Sequence, residues 1–218
     1  MRKPQARPDE VLAAALDLFT INGFASTRMD DIAKAAGLSK AAIYLYFPSK
    51  DDVFKALVEQ RVALLRETVS QAGGLDHTDP IKGLRAIARA WALANADARM
   101  AALPRIVLTE AHRFPDLAAF YHTTIIERTH GVLVDLIENG VRQGLFRPLD
   151  PTIVARALMG PLLFETLRRQ AFGGIVGGNK ARDTSLTHMA DTLFDLFLAG
   201  ICVRPPCAEP PSDKGPTP

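Results

Sequence analysis

Apolar positions recur at three- and four-residue intervals along nearly the whole chain, and no stretch alternates as a half-buried strand would. Val11, Leu12, Ala15, Leu16, Leu18 and Phe19 form a wide helical stripe, closed by the turn pair Asn22-Gly23. Met29, Ile32, Ala33 and Ala36 sit at i, i+3, i+4 and i+7, which predicts a short second helix reaching about Gly37. Thr27 with Asp30 reads as its capping box. Ser39 is expected to cap a third short helix from Lys40 to about Tyr46. Pro48 stops that helix, and Ser49 with Asp52 caps a longer fourth one running to Gly73-Gly74.

Beyond this point the segments lengthen. A fifth helix follows Pro80, and Pro104 is expected to break or open the next one, which ends near Phe114-Pro115. A long helix is expected from about Asp116 to Arg142, with Gly144 as its stop. Asp150-Pro151 is a cap followed by proline in the first turn, opening a helix to about Ala171. Gly173, Gly174, Gly177 and Gly178 read as a flexible loop, and the last helix spans about Thr184 to Gly200. Residues 205–218 hold six prolines and almost no large apolar group, so the tail is expected to be disordered. The pattern predicts an all-α protein of about nine helices.

Composition narrows the class. The 218 residues are 48% hydrophobic and 23% charged, ordinary for a soluble domain. A net charge of +2 means that any nucleic-acid surface is local. The two cysteines, Cys202 and Cys207, lie too late and too close together to staple a fold, which points to a reducing, cytoplasmic compartment. No apolar run approaches the roughly 18 residues that span a bilayer, so no membrane partner is expected.

The stretch Thr27 to Lys50, TRMDDIAKAAGLSKAAIYLYFPSK, carries the chemistry. Two short helices joined by Ala36-Gly37-Leu38-Ser39 fit a helix-turn-helix: glycine permits the sharp turn, and Leu38 plugs the core between the helices. With Ile43 and Phe47 turned inward, Lys40, Ala41, Ala42 and Tyr44 are left on the outer face. Small alanines let a helix approach base edges, while lysine and tyrosine reach bases or phosphates. Lys50, at the start of the fourth helix, is placed to hold a phosphate, and Arg2, Lys3 and Arg7 form a basic arm. Short helices joined by Ala-Gly turns also occur in bundles that bind no DNA, so the spacing alone leaves both readings open.

From Val11 to Phe54 the chain resembles the DNA-binding domain of TetR-family transcriptional regulators. The resemblance rests on Ala15, Leu18, Phe19, Gly23-Phe24, Thr27, Asp31-Ile32-Ala33, Ala36-Gly37-Leu38-Ser39, Ile43-Tyr44, Tyr46-Phe47, Ser49-Lys50 and Val53. It implies a recognition helix Lys40–Tyr46 with Lys40, Ala41, Ala42 and Tyr44 nearest the major groove. Tyr46 and Lys50 would clamp phosphates, as would Thr27 and Arg28. Ala42 can offer only a methyl contact, so base readout would lean on Lys40 and Tyr44.

Further along, Arg105-Ile-Val-Leu-Thr-Glu110-Ala, Arg113-Phe-Pro115-Asp-Leu, Phe120-Tyr121, Gly140-Val-Arg-Gln-Gly144-Leu-Phe and Asp150-Pro151 look like the C-terminal domain of the AcrR/AefR-like subgroup. That implies an effector-sensing body whose last two long helices form a homodimer interface. The apolar excess around Leu158, Met159, Leu162, Leu163 and Phe164, and around Leu193, Phe194, Leu196, Phe197 and Leu198, agrees with a partner surface. Candidate effector contacts are Trp91, Met100, Leu103, Ile106, Phe120, Tyr121 and Phe164, with Arg105, Glu110 or His112 as polar anchors.

The expected organisation is a helix-turn-helix head over 1–50, an effector-binding and dimerisation body over 51–202, and a tail over 203–218. The expected partners are operator DNA, a small-molecule effector and a second copy of the chain. The resulting expectation is a repressor released from a palindromic operator by a small, largely apolar effector, against the alternative of a small-molecule-binding dimer that no longer recognises DNA. Enzyme chemistry finds no inventory. Glu127 and His130 form a single Glu-x-x-His, the five histidines are scattered, and there is no nucleophile elbow or phosphate loop. No catalytic residue, metal or cofactor is expected.

Overall fold

The computed structural model describes residues 6–71, 74–76, 78–172 and 185–203. The helices are α1 (Ala6–Asn22), α2 (Met29–Ala35), α3 (Lys40–Tyr44), α4 (Lys50–Gln71), α5 (Pro80–Ala94), α6 (Ala98–Glu110), α7 (Pro115–Tyr121), α8 (Arg128–Arg142), α9 (Pro151–Phe172) and α10 (Leu186–Ile201). A π-helical segment, His122–Glu127, joins α7 to α8 without a break. Counted as continuous rods, the described residues form nine, and they contain no named strand. No described helix is long and apolar enough to cross a membrane. The basic-arm residues Arg2 and Lys3, the side chain of Arg7, the glycine loop 173–178, Cys207 and the tail beyond Val203 lie outside the described residues.

Local chemistry sets most of the boundaries. The Ser39 hydroxyl accepts from the Ala42 N–H at 3.2 Å, and the Ser49 hydroxyl accepts from the Asp52 N–H at 3.2 Å. Asp150 accepts from Thr152 N–H at 2.8 Å to open α9. Gly37 at φ +66° makes the turn between α2 and α3.

Two expectations fail. The cap of α2 is shifted by one residue: Asp31 reaches back to the Arg28 N–H at 3.1 Å, while the Thr27 hydroxyl turns into the core and donates to Gly23 C=O at 2.8 Å. Pro104 neither breaks nor opens a helix, because α6 starts at Ala98, capped by Asp97, and runs straight through it. Pro104 has no N–H for the Met100 carbonyl four residues earlier. That carbonyl instead accepts from Arg61 Nη1 at 2.9 Å, which satisfies the acceptor the proline leaves open.

Two apolar clusters hold the molecule. One joins α1, α2 and α3 to the first turns of α4, to α6 and to α7, through Phe19, Phe24, Ile43, Phe54, Leu103 and Leu117. The other joins α5, α8, α9 and α10 around Leu84, Leu133, Leu136, Leu158 and Phe194. Close approach of α5 to α8 needs Gly83, where a Cβ would come within 2.9 Å of Leu136. The end of α8 is sealed the same way, by the Phe146 ring lying against Gly140.

Candidate DNA-binding face and effector core

The tip of the head is built by inward anchors that force their neighbours out. Ile43 and Phe47 are buried, and Leu38 packs against the same cluster. Between them Tyr44 is 43% exposed, Leu45 86% and Tyr46 40%. Lys40, Ala41 and Arg28 are exposed on the same side, and Ala42 is half-buried. Lys40 donates to Asp30 at 2.9 Å, and this contact holds its ammonium above the ordinary lysine range. An exposed pair of this kind is worth little, so the lysine is readily exchanged onto another anion. An open cleft of about 410 Å³ lies beside this tip, bounded by Ala25, Thr27, Arg28, Met29, Asp30, Lys40, Tyr44 and Lys50.

Leu45 was missed in the sequence because a leucine between two tyrosines reads as core. Its position two residues after Ile43, opposite the buried face, was the available signal.

Two of the expected phosphate contacts are otherwise engaged. Thr27 is buried with its hydroxyl bonded to the end of α1. Lys50 Nζ donates to the carbonyls of Phe24 at 2.6 Å, Thr27 at 2.9 Å and Ala25 at 3.3 Å, and sits 4.4 Å from the centroid of the Phe24 ring. Burial holds its ammonium below the ordinary lysine range. Lys50 therefore pins the α1–α2 connection onto α4.

The head docks on α6 by polar contacts. Arg99 pairs with Asp17 at 3.0 Å, Arg105 donates to Thr20 C=O at 3.1 Å, and Glu110 accepts from the Ala25 N–H at 3.4 Å. Arg105 and Glu110, expected as polar anchors for an effector, thus face the head, and His112 is exposed. A crevice of about 10 Å³ remains at this junction, beside Phe24, Phe54, Ile106 and Phe114. That is room for about one water.

Three of the expected effector contacts converge on a residue absent from the sequence reading, Arg61. It is 2% exposed on α4, its guanidinium carbon lies 5.5 Å from the centroid of the Trp91 ring, Nη1 donates to Met100 C=O at 2.9 Å, and the Tyr121 hydroxyl is near enough to act on its charge. Its fourth neighbour is Asn95, whose Oδ1 accepts from Nη2 at 3.0 Å. Leu103 and Ile106 are buried in the cluster that also holds Tyr121, with Phe120 half-buried at its edge. Phe164 stands apart, 68% exposed on α9. It shares that outer face with Ile153, Ala157, Gly160 and Pro161, and exposed Leu196 presents a similar surface on α10. A Cβ built at Gly160 or Gly200 would meet nothing.

Residues 11–57 match bacterial regulatory proteins of the tetR family, and residues 82–200, more than half the chain, match the AefR-like transcriptional repressor C-terminal domain. The chain belongs to the TetR family. It is therefore a helix-turn-helix DNA-binding transcriptional repressor by family, and ligand binding is typical of that family. The HTH-type transcriptional repressor KstR2 of Mycolicibacterium smegmatis is 28% identical over 194 residues, covering 81% of this chain and 92% of the relative. A TetR-like transcriptional regulator from Rhodococcus sp. RHA1 superposes with a TM-score of 0.66 at 26% identity, covering 91% of this chain and 98% of that one. The fatty acid degradation regulator FadR from Bacillus halodurans gives 0.68 at 22% identity, over 88% and 98% of the two chains, a likeness of fold.

Proposed function

We propose that this TetR-family protein is a homodimeric repressor that reads a palindromic operator and is released by a small, largely apolar effector. The reading is carried by one observation: Ile43 and Phe47 are buried, and the three residues between them, Tyr44, Leu45 and Tyr46, are exposed. Arg28, Lys40, Ala41, Ala42, Tyr44 and Tyr46 make the DNA-facing set, and Leu45 adds an apolar side chain suited to a thymine methyl. Thr27 and Lys50 act one step back, holding the α1–α2 connection that carries Arg28. The exposed apolar stripe of α9 and α10, centred on Phe164 and Leu196, is the dimer face. A two-fold across it sets two recognition helices about one turn of DNA apart, roughly 34–36 Å or a multiple.

Effector binding acts through α4, which begins at the Lys50 pin in the head and carries Arg61 in the body. An effector that favours one position of this rod over another by about 1–3 kcal/mol suffices for regulation. The test is selection of bound sequences from random duplex DNA, followed by affinity against salt for the selected site. A palindromic site with a steep negative salt slope, flattened by Lys40→Ala, is expected. Weak binding with no sequence preference would refute the operator reading and favour a small-molecule-binding dimer.

A further inference from the structure

Among the described residues, the acceptors that meet the buried Arg61 cation are neutral. Nη1 donates to the Met100 carbonyl that Pro104 leaves free, and Nη2 donates to Asn95 Oδ1. Nε is buried without a hydrogen-bond partner among the described residues. Among the described residues no carboxylate pairs with it, and burial holds its guanidinium below the ordinary arginine range. Buried charges are normally paired, because an unpaired one is costly to desolvate.

The geometry of the fork is informative. Nε and Nη2 form the edge of a guanidinium that a carboxylate grips with two parallel bonds. Here one prong of that edge is free and the other holds a neutral amide oxygen, which an anion readily displaces. The surroundings are apolar and aromatic: the Trp91 ring lies 5.5 Å away, buried Leu57 is one turn earlier on α4, and buried Leu103 is one turn beyond Met100 on α6. The backbone also departs from regularity here, since the π segment starts directly after Tyr121. Such segments are uncommon and concentrate at functional sites.

We propose that Arg61 is the receptor for the carboxylate of the effector, so that the effector is a small amphipathic monocarboxylate whose apolar part lies among Trp91, Leu103 and Tyr121. This rests on the effector-regulated reading above and names the ligand's chemistry. One guanidinium with no second cation on it matches one negative charge. Taking the Nε–Nη2 edge releases Asn95, and with it one of the links between α4 and the end of α5.

The test uses the full-length protein with sodium octanoate and sodium phenylacetate, each beside its uncharged amide, octanamide and phenylacetamide. At least one carboxylate raises the thermal midpoint, and its amide binds roughly ten- to a hundredfold more weakly, as for loss of a charge-assisted contact. Arg61→Lys, which keeps the charge but loses the fork, weakens the carboxylate about tenfold or more. Because Arg61 also supports the core, the deciding signal is the Arg61 Nε–H resonance of the unsubstituted protein, assigned by its loss in Arg61→Lys, which shifts with carboxylate and not with amide. No carboxylate response, equal binding of acid and amide, or an unmoved Nε–H would each overturn the proposal. Operator selection without any probe is scored separately, so failure of the DNA reading and failure of the anion site give different results.

Discussion

Replacing Lys50 by methionine separates two employments of one residue. Methionine keeps the aliphatic stem against Phe24 and removes only the ammonium, which donates at 2.6, 2.9 and 3.3 Å to three carbonyls of the α1–α2 connection. A hydrogen bond from a charged donor contributes about 1.5–3 kcal/mol, and the ring contact adds about 0.5–1. These terms share one ammonium and do not add fully. The connection is only partly buried, and desolvation of the ammonium opposes them, as its lowered pKa records. The net loss is therefore expected near 1–3 kcal/mol, a fall of roughly 3–10 °C in the thermal midpoint for a chain of this length. The assay pairs thermal unfolding with operator affinity measured against salt well below the midpoint. Lys50→Met is expected to lower the midpoint and leave the salt slope unchanged, whereas Lys40→Met does the reverse. An unmoved midpoint with a slope shallower by about 1.8, from one lost contact in each protomer of the dimer, would mean that Lys50 is a phosphate clamp, and the reasoning would be refuted.

Phe164→Asp puts a charge in the middle of the exposed α9 face without touching either core. Sedimentation should show monomers where the unsubstituted protein is dimeric, with the monomer fold retained. Gly140→Ala would ordinarily gain about 1 kcal/mol in a helix, but the new methyl collides with the Phe146 ring. It is expected to destabilise by about 1–3 kcal/mol in denaturant unfolding, and Phe146→Leu in the same chain should recover part of that loss. Hydrogen bonds from Arg168 and Arg169 hold the Glu165 carboxyl below the ordinary glutamate range. Its contribution is present above about pH 4.3 and is lost as acid protonates the group below that value. Glu165→Gln should therefore flatten the acid limb of the stability profile, read by thermal unfolding across that range.

Local signals were the legible ones. Ser39, Ser49 and Asp150 cap helices through bonds to N–H groups two or three residues ahead, so neighbours in sequence fix them. Thr27 has the same chemistry, but its hydroxyl could equally accept from α2 or donate back to α1. In the folded chain Thr27 is buried and its hydroxyl donates to the end of α1. Lys50 was ambiguous for a similar reason, since its acceptors lie 23 to 26 residues away. Pro104 misleads because its usual effect is cancelled by an arginine on another helix. The π segment leaves a fainter trace. Leu117, Tyr121, Ile125, Thr129, Leu133 and Ile137 recur every four residues, a spacing that drifts around a regular helix by about 40° per step and that wider turns absorb.

The apolar cluster that joins α1–α3 to α4, α6 and α7 bears on how freely such proteins can be recombined. A graft that cuts at residue 50 would strip the head of Val53, Phe54 and Leu57, and would leave Leu103, Ile106 and Leu117 facing a stranger. Specificity-swapped chimeras should therefore be cut beyond Arg61 and should carry matched α6 side chains at 102, 103 and 106. Because they share this cluster, the head and the body are expected to melt as one cooperative unit, and a transplanted reading head would draw its rigidity from the body that receives it.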